Sequence, residues 1–538
     1  MKKLNTQSIL SIVFLLGILI MVNAIGIRYF MRADLTSANM YSLSDASKEV
    51  VRNVEDKILV KAYFTPNLPG QYAGIERYLR DMLEDYRAFS RGHLEYEFID
   101  PGNEKALEEE AQSFQIPPNQ LRAIANDKIE VIKCYMGVAF IYGDKKETIP
   151  VINQVENLEY EITSLIGRIT SNRQPILGIT STGTEQEKQT MQRLYEALGR
   201  NYNVQPVDLN DIIGCGADAL LVMMPRLPFT DWQLFQLDQY IMSGGKAGFF
   251  MNWYRADIQQ AQQAMPYGLN INGLLNNYGI GLGEDLLSDA TSATVGVQTQ
   301  RGFFTMTQPV QMPYFPTIRE FNTNNIITRD LQGLQTYYPS SVDTTLAAGK
   351  GYVAECLAYS SKYSARDTGP YVYLDPFRKR TQQDYPESFI PVAAVVKGKF
   401  TSYFAKSGPP EKPAEASQTQ GGNENATEEK YDGPFITEAT AENRLLVVGD
   451  GHLGLDQHIQ ADGLLFMQNS IDWLIQSENL IAIRSKQIPQ KPLRELPDVA
   501  RKFIRWLNLI GPSILIIILG ITLWQLRRMK KKALMAQA

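Results

Sequence analysis

The chain has 538 residues, 44% of them hydrophobic and 21% charged, with 53 basic against 58 acidic residues and a formal charge of −5. At about 150 residues per domain this length predicts three to four domains and excludes a single small binding module. The composition is that of an ordinary globular protein, neither disordered nor a many-span transporter, and the near balance of charge argues against a nucleic-acid binder.

The two ends differ from this average. Residues 1–8, with Lys2 and Lys3, precede a run from Ile9 to Ile27 without a charge, enough helix for the roughly 30 Å of a hydrocarbon core. A second uncharged run, 506–526, has Trp506 and Trp524 toward its margins and is followed by Arg527, Arg528, Lys530, Lys531 and Lys532. The expectation is two transmembrane helices, 9–27 and 506–526, in a cell inner membrane. By the positive-inside rule both termini, including the basic tail 527–538, are expected in the cytoplasm, with the bulk of the chain in the periplasm. The alternative for the first run is a signal peptide cleaved near Val22-Asn-Ala24; its continuation past Ala24 to Ile27 favours the span. The seven basic residues outside the two runs leave a formal −12 for the remainder, which predicts an acidic outer body between tails suited to an anionic leaflet.

Between the two runs, Lys57–Phe64 reads as a strand and Ile75–Phe89 as a helix with Ile75, Leu79, Met82, Leu83 and Tyr86 on one face. Leu94–Asp100 then alternates as a strand, completing a β-α-β unit. Strands within 129–142 and 148–152 and a helix near Val155–Ile169 complete a first α/β domain, 45–170. A second α/β domain, 171–484, begins with the strand Pro175–Thr180 and a helix over Glu187–Leu198. The strand Ala219–Met224, the helix Asp231–Met242 and the strand Lys246–Met251 follow, the helix stopping at Ser243-Gly-Gly245. Short apolar strands alternating with helices predict a parallel sheet covered on both faces. Residues 252–400 show no helical period and read as an irregular, β-rich stretch of strands and long loops inserted in or appended to the second domain, and 407–434 reads as a polar, disordered loop. The strand Arg444–Gly449 and a helix over Leu464–Gln476 resume the domain before a linker at 485–505. The predicted fold class is therefore α/β, with two tandem Rossmann-like or amidotransferase-like extracytoplasmic domains between an N-terminal and a C-terminal transmembrane helix.

The search for catalytic chemistry returns little. Gly244-Gly-Lys246 lacks the Ser or Thr of a phosphate loop, having Ala247, and Tyr240 stands where its first glycine belongs. Three histidines, His93, His452 and His458, exclude a zinc helix motif, and Cys134, Cys215 and Cys356 form neither a disulfide framework nor a Cys-x-x-Cys site and read as buried thiols. Asp450 and His452 could form an acid–base pair after a strand, but a loop histidine beside a capping aspartate is the preferred reading. Where a nucleophile elbow would follow Lys246–Met251 the chain has Asn252-Trp-Tyr-Arg255. Asp81, Glu84 and Asp85 read as a solvated helix face. The aromatics Phe303, Phe304, Tyr314, Phe315, Tyr337 and Tyr338 read as core, with sugar or partner stacking as the alternative. No catalytic, cofactor-binding or metal residue is assigned, no cofactor is expected, and the expectation is a protein that is not an enzyme.

Several motifs recur in one order: Arg32-Ala-Asp-Leu-Thr36 with Tyr41-Ser-Leu-Ser44, Ile99-Asp-Pro101, Leu158-Glu-Tyr-Glu-Ile-Thr163 and Leu237-Asp-Gln-Tyr-Ile-Met-Ser-Gly-Gly-Lys246 come first. Leu446-Val-Val-Gly-Asp450, Asn469-Ser-Ile-Asp-Trp-Leu474 and Ile483-Arg484 follow. In these the chain resembles the auxiliary, substrate-binding-like component of the gliding-motility ABC transporter of Bacteroidota. That family shares with an intraflagellar-transport protein a domain resembling sugar-binding or amidotransferase-like folds. The resemblance implies partners in a cytoplasmic ATPase and a multi-span permease, in a complex required for surface gliding. Thr180-Ser-Thr-Gly-Thr-Glu185 departs from a Gly-His-Gly-Glu-like turn expected in relatives, which speaks against chemistry at that turn. The expected function is a non-enzymatic auxiliary subunit whose outer region binds a ligand, an envelope glycan or an envelope protein. The alternative is a glycan-binding or scaffold protein acting without a transporter.

Overall fold

The computed structural model describes residues 42–475 except 67, 69–71, 73, 103, 126–127, 154, 156–157, 172, 183–189, 258–261, 302–303, 330 and 414–430, together with Gly520 and Trp524. Contacts divide the chain into residues 1–488 and 489–538, and the architecture below is that of the first unit.

Strands β1 (Ile58–Phe64) and β2 (Leu94–Ile99) pair in parallel, joined by the helix Ile75–Phe89. That helix buries the five residues whose 3- and 4-residue spacing marks its apolar stripe. A freestanding hairpin, β3 (Asn119–Ala125) and β4 (Lys128–Cys134), precedes β5 (Met136–Tyr142) and β6 (Lys145–Ile149). β5 runs antiparallel to both β1 and β6, giving a four-stranded sheet in the order β2-β1-β5-β6. Its core joins Val60, Ala62, Phe140 and Leu83 to Leu165 and Ile166 of the helix Leu158–Thr170. Glu159 of that helix is buried and ties down the start of the described chain. It accepts from the Ser44 amide (2.7 Å) and the Ser47 hydroxyl (2.6 Å), at the N-terminus of the helix Asp45–Arg52.

The second sheet begins with β7 (Ile176–Thr180), β8 (Asn203–Pro206), β9 (Ala219–Met223) and β10 (Lys246–Phe250). The chain then lays down β11 (Tyr254–Asp257), β12 (Gln263–Pro266), β13 (Gly281–Leu282), β14 (Leu286–Asp289), β15 (Ser292–Arg301) and β16 (Phe304–Ile318). β17 (Glu320–Phe321), β18 (Leu334–Gln335), β19 (Val342–Asp343), β20 (Val353–Tyr359), β21 (Ser364–Asp367) and β22 (Val372–Tyr373) follow. The last strands are β23 (Pro391–Gly398) and β24 (Asn443–Val448). Eight of these strands form one sheet, β17-β20-β23-β24-β10-β9-β7-β8, parallel from β24 through β8 and antiparallel beyond β24. Alternation divides its side chains: Ala247 and Phe249 face the helix Asp231–Met242, and Phe250 faces the helices Gln192–Gly199 and Ala461–Ile475.

Four expectations are corrected or refined. The two-span frame is not supported: among the described residues no helix is long and apolar enough to cross a membrane. The longest, Ile75–Phe89 and Ala461–Ile475, have 15 residues, about 22 Å of rise against roughly 30 Å of hydrocarbon. The runs 9–27 and 506–526, apart from Gly520 and Trp524, lie outside the described residues, as do the tail, the linker and the N-terminus. Nor are there two tandem Rossmann-like domains: the first sheet has a single parallel pair and the second is mixed. Residues 252–400, read as strands and long loops inserted in or appended to the second domain, supply β17, β20 and β23 to the main sheet while the remaining strands form small sheets beside it. Finally, the polar loop is packed at its far end, where Tyr431 sits on Phe235 (5.0 Å between ring centres) and Trp232 (5.7 Å); residues 414–430 lie outside the described residues.

Candidate functional site

In a sheet of this kind, ligands are received at the carboxyl ends of the parallel strands, where loops to opposite faces part. Those ends here carry Thr180–Thr182 after β7, Met224 after β9, Asn252 after β10 and Gly449–His452 after β24.

Asn252 and Asp450, both buried, join two of these ends to a crossing segment, 337–341. The Asn252 amide nitrogen donates to the carbonyls of Tyr337 (3.1 Å) and Tyr338 (2.8 Å), and its oxygen accepts from the Gly451 amide (2.8 Å). One Asp450 oxygen accepts from the Tyr337 amide (2.7 Å). The other accepts from the His452 amide (2.8 Å) and lies 3.1 Å from His452 Nδ1. The Ser340 hydroxyl accepts from the Trp253 amide (2.9 Å) and donates to the Asp285 carbonyl (2.8 Å). Gly449 permits the crossing, since a Cβ there would overlap the Ser340 carbonyl. The rim is aromatic: His458 stacks on Tyr337 (3.9 Å between ring centres), Phe315 meets Tyr337 (5.1 Å) and Tyr338 (4.9 Å), and His452 lies 5.7 Å from His458.

Burial and the neighbouring His452 hold the His458 imidazole below the usual histidine range, against the opposing pull of Asp450. The unfolded chain therefore takes up this proton before the folded one does. The contribution is complete above the ordinary histidine value of about 6.5. It is lost as pH falls through the depressed folded value. His458→Phe is expected to flatten the decline in thermal stability below pH 6.5, read from melting curves between pH 5 and 7.5.

The carboxylate–imidazole pair read from the sequence is thus present, and the rings beside His452 are those of Tyr338 and His458. After β10, where a nucleophile elbow would sit, the chain has the buried Asn252, and after β9 Met224 has a positive φ of 46° and offers a thioether. The arrangement can donate and accept hydrogen bonds and stack on a flat group, while Asp450 is spent on holding the segment. Ser181 and Thr182 likewise bind the protein itself: the Ser181 hydroxyl donates to the Met224 carbonyl (3.3 Å), and the Thr182 hydroxyl accepts from the amides of Arg226 and Leu227 (both 2.9 Å). Gly183, Thr184 and Glu185 lie outside the described residues.

The other singled-out residues are elsewhere. His93 contacts the Ser90 carbonyl, and Glu84 accepts from Arg87 (2.6 Å) and Tyr96 (2.7 Å). Gly244, with φ 99°, ends a helix, and Gly245 packs under the Tyr240 ring, which explains the tyrosine at that position. Cys134 is buried, Cys215 and Cys356 are half-buried, and all three are free. Among the described residues no group of three or more His, Cys, Asp and Glu could hold a metal ion. Tyr314 belongs to another cluster, accepting from Arg380 (2.6 Å) and donating to Asp367 (3.0 Å). Phe303 lies outside the described residues, and Phe304 starts β16. Sequence reasoning gave His458, Ser340 and Gly449 no role at these strand ends; the Gly-Asp-Gly spacing around Asp450 was the available signal for the last.

Residues 37–141 match a domain of unknown function, DUF7088. A protein of Borreliella burgdorferi, described as uncharacterized, is 21% identical over 318 residues, 58% of this chain, which spans 60% of that relative's length. The solved N-terminal domain of mmIFT52 aligns at 16% identity and a TM-score of 0.31, over 56% of this chain and 97% of that one. Residues 174–472, more than half of the chain and the whole of the eight-stranded sheet, match the family described as an ABC-type uncharacterized transport system, and the protein belongs to that family.

Proposed function

We propose that this protein is a non-enzymatic auxiliary subunit of an ABC transporter, working at the inner membrane with a permease and a cytoplasmic ATPase, and that its α/β body captures a ligand or an envelope partner. The observation that carries this reading is the family match over the sheet whose strand ends form the crevice. The crevice's carboxylate and amide are engaged in its own architecture, and its rim is aromatic, which suits binding better than turnover. The ordered motifs add the gliding-motility class of transporter as the finer assignment. Affinity purification of the full chain from its native host in mild detergent is expected to recover an ATPase and a permease together. Repeated recovery of the chain without either would refute the subunit assignment, and unchanged surface spreading after deletion of the gene would refute the gliding assignment alone.

A second reading, glycan binding without a transporter, draws on a different surface. Tyr371 and Tyr373 are exposed and meet edge to face at 6.1 Å. A glycan array comparing the full chain with Tyr371→Ala/Tyr373→Ala addresses it.

A further inference from the structure

Among the described residues, the longest strand pairing belongs to a hairpin that leaves the body. β15 and β16 pair from Ser292–Pro316 out to Arg301–Phe304, and from Thr294–Gln311 outward each strand is paired, among the described residues, only with the other. Thr294, Gly296, Met306, Thr307, Gln308 and Pro309 are exposed. At its base the arm is fixed: the Tyr338 amide donates to the Tyr314 carbonyl (2.8 Å) and the Thr317 amide to the Thr291 carbonyl (2.9 Å).

The arm's sequence is unusual for a structure in water. Residues 290–318 contain one charged residue, Arg301, where the chain's average of 21% would place about six. The two edges also differ. β16 carries Pro309, Pro313 and Pro316, which remove amide donors. Thr294-Val-Gly-Val-Gln-Thr-Gln300 of β15 has neither proline nor charge, and its outer edge pairs with no described strand. Proteins ordinarily blunt such an edge with lysine, proline or a short strand. The sequence of the other freestanding hairpin differs, with Arg122, Lys128, Glu130 and Lys133 in its strands.

We propose that the outer edge of β15 is a self-association surface, on which a second copy of this chain adds its own β15 antiparallel. The argument for a second copy is complementarity. Around a two-fold axis at Val297, Thr294 would face Gln300, Val295 would face Thr299, and Val297 would face itself. Apolar or uncharged polar residues meet at every position, and no like charges are opposed. The result is a continuous four-stranded sheet, β16-β15-β15-β16, in which a hairpin marginal by itself gains the strands it lacks. Because β16 also holds Tyr338, the same sheet would tie the crevices of the two copies together.

Single cysteines placed in turn from 294 to 300 in the full chain, under mild oxidation, test this. A crosslinked dimer is expected to peak near Val297→Cys, at least about tenfold above wild type and above Thr307→Cys on the opposite strand, given the close approach of facing residues. Val297→Lys, which sets like charges face to face, is expected to weaken dimerisation at least about tenfold in analytical ultracentrifugation while leaving the melting temperature unchanged at concentrations where the wild type is monomeric, since Val297, unlike Val295, packs against none of the described core clusters. A wild-type chain that stays monomeric at tens of micromolar, or cysteines at 294–300 that crosslink to a different polypeptide, would overturn the proposal.

Discussion

Asp238→Ala is expected to destabilise the protein by about 3 kcal/mol or more, seen as a lower urea midpoint with little change in slope. Asp238 is fully buried on the helix Asp231–Met242 and gathers four donors from three places. The Tyr278 hydroxyl (2.6 Å) and the Tyr403 amide (2.7 Å) reach one oxygen, and the Ser402 hydroxyl (2.7 Å) and Gln239 Nε2 (2.8 Å) reach the other. Alanine would leave these donors without their acceptor inside the molecule, each costing about 1–3 kcal/mol if nothing replaces it. Tyr278→Phe removes one donor and leaves the other three in place, so a loss near 1 kcal/mol is expected there. Equal losses for the two variants would show that packing around the ring, not the carboxylate, holds these segments together.

Gly449→Val is expected to dissolve the crevice. The segment 337–341 lies against the backbone of β24, with the Ser340 amide donating to the Gly449 carbonyl at 2.8 Å. A side chain at 449 would overlap the Ser340 carbonyl, a backbone atom that cannot rotate aside. The segment would have to lift, freeing the Asn252 amide, the Asp450 carboxylate and the Tyr337 ring from their partners at once. The expected result is a loss of several kcal/mol and rapid exchange of the Tyr337 amide proton, which Asp450 now holds. Slow exchange at Tyr337 in a folded Gly449→Val protein would show that the latch survives without this close approach.

The parts of the fold legible in the sequence are those written in local periodicity. The stripe from Ile75 to Tyr86 shows its helix because burial on one face requires that spacing, and the uninterrupted apolar run of β9 shows a strand covered on both faces. β20 and β23 were not legible as continuations of the main sheet, because their place depends on which edge they meet, and an edge has no signature in the strand that joins it. The transmembrane expectation is overturned in the described residues, whose longest helices are too short to cross a bilayer.

Asp450 and His452 could be paired on the page because they stand two residues apart. Asn252, Tyr337 and Ser340 could not be joined to them, since contacts across 85 to 198 residues arise only when β10 and β24 become neighbours. The motif residues behave in the same way. Ser44 and Glu159 lie 115 residues apart and meet at one helix end, and Tyr202 meets Asp472 across 270 residues. The sequence by itself therefore determined the elements, the mixed α/β composition and the absence of a recognisable catalytic motif, all properties of short windows. The tertiary structure decided the strand order, the latch beneath Tyr337 and the open edge of β15, because each depends on which distant segments share a boundary.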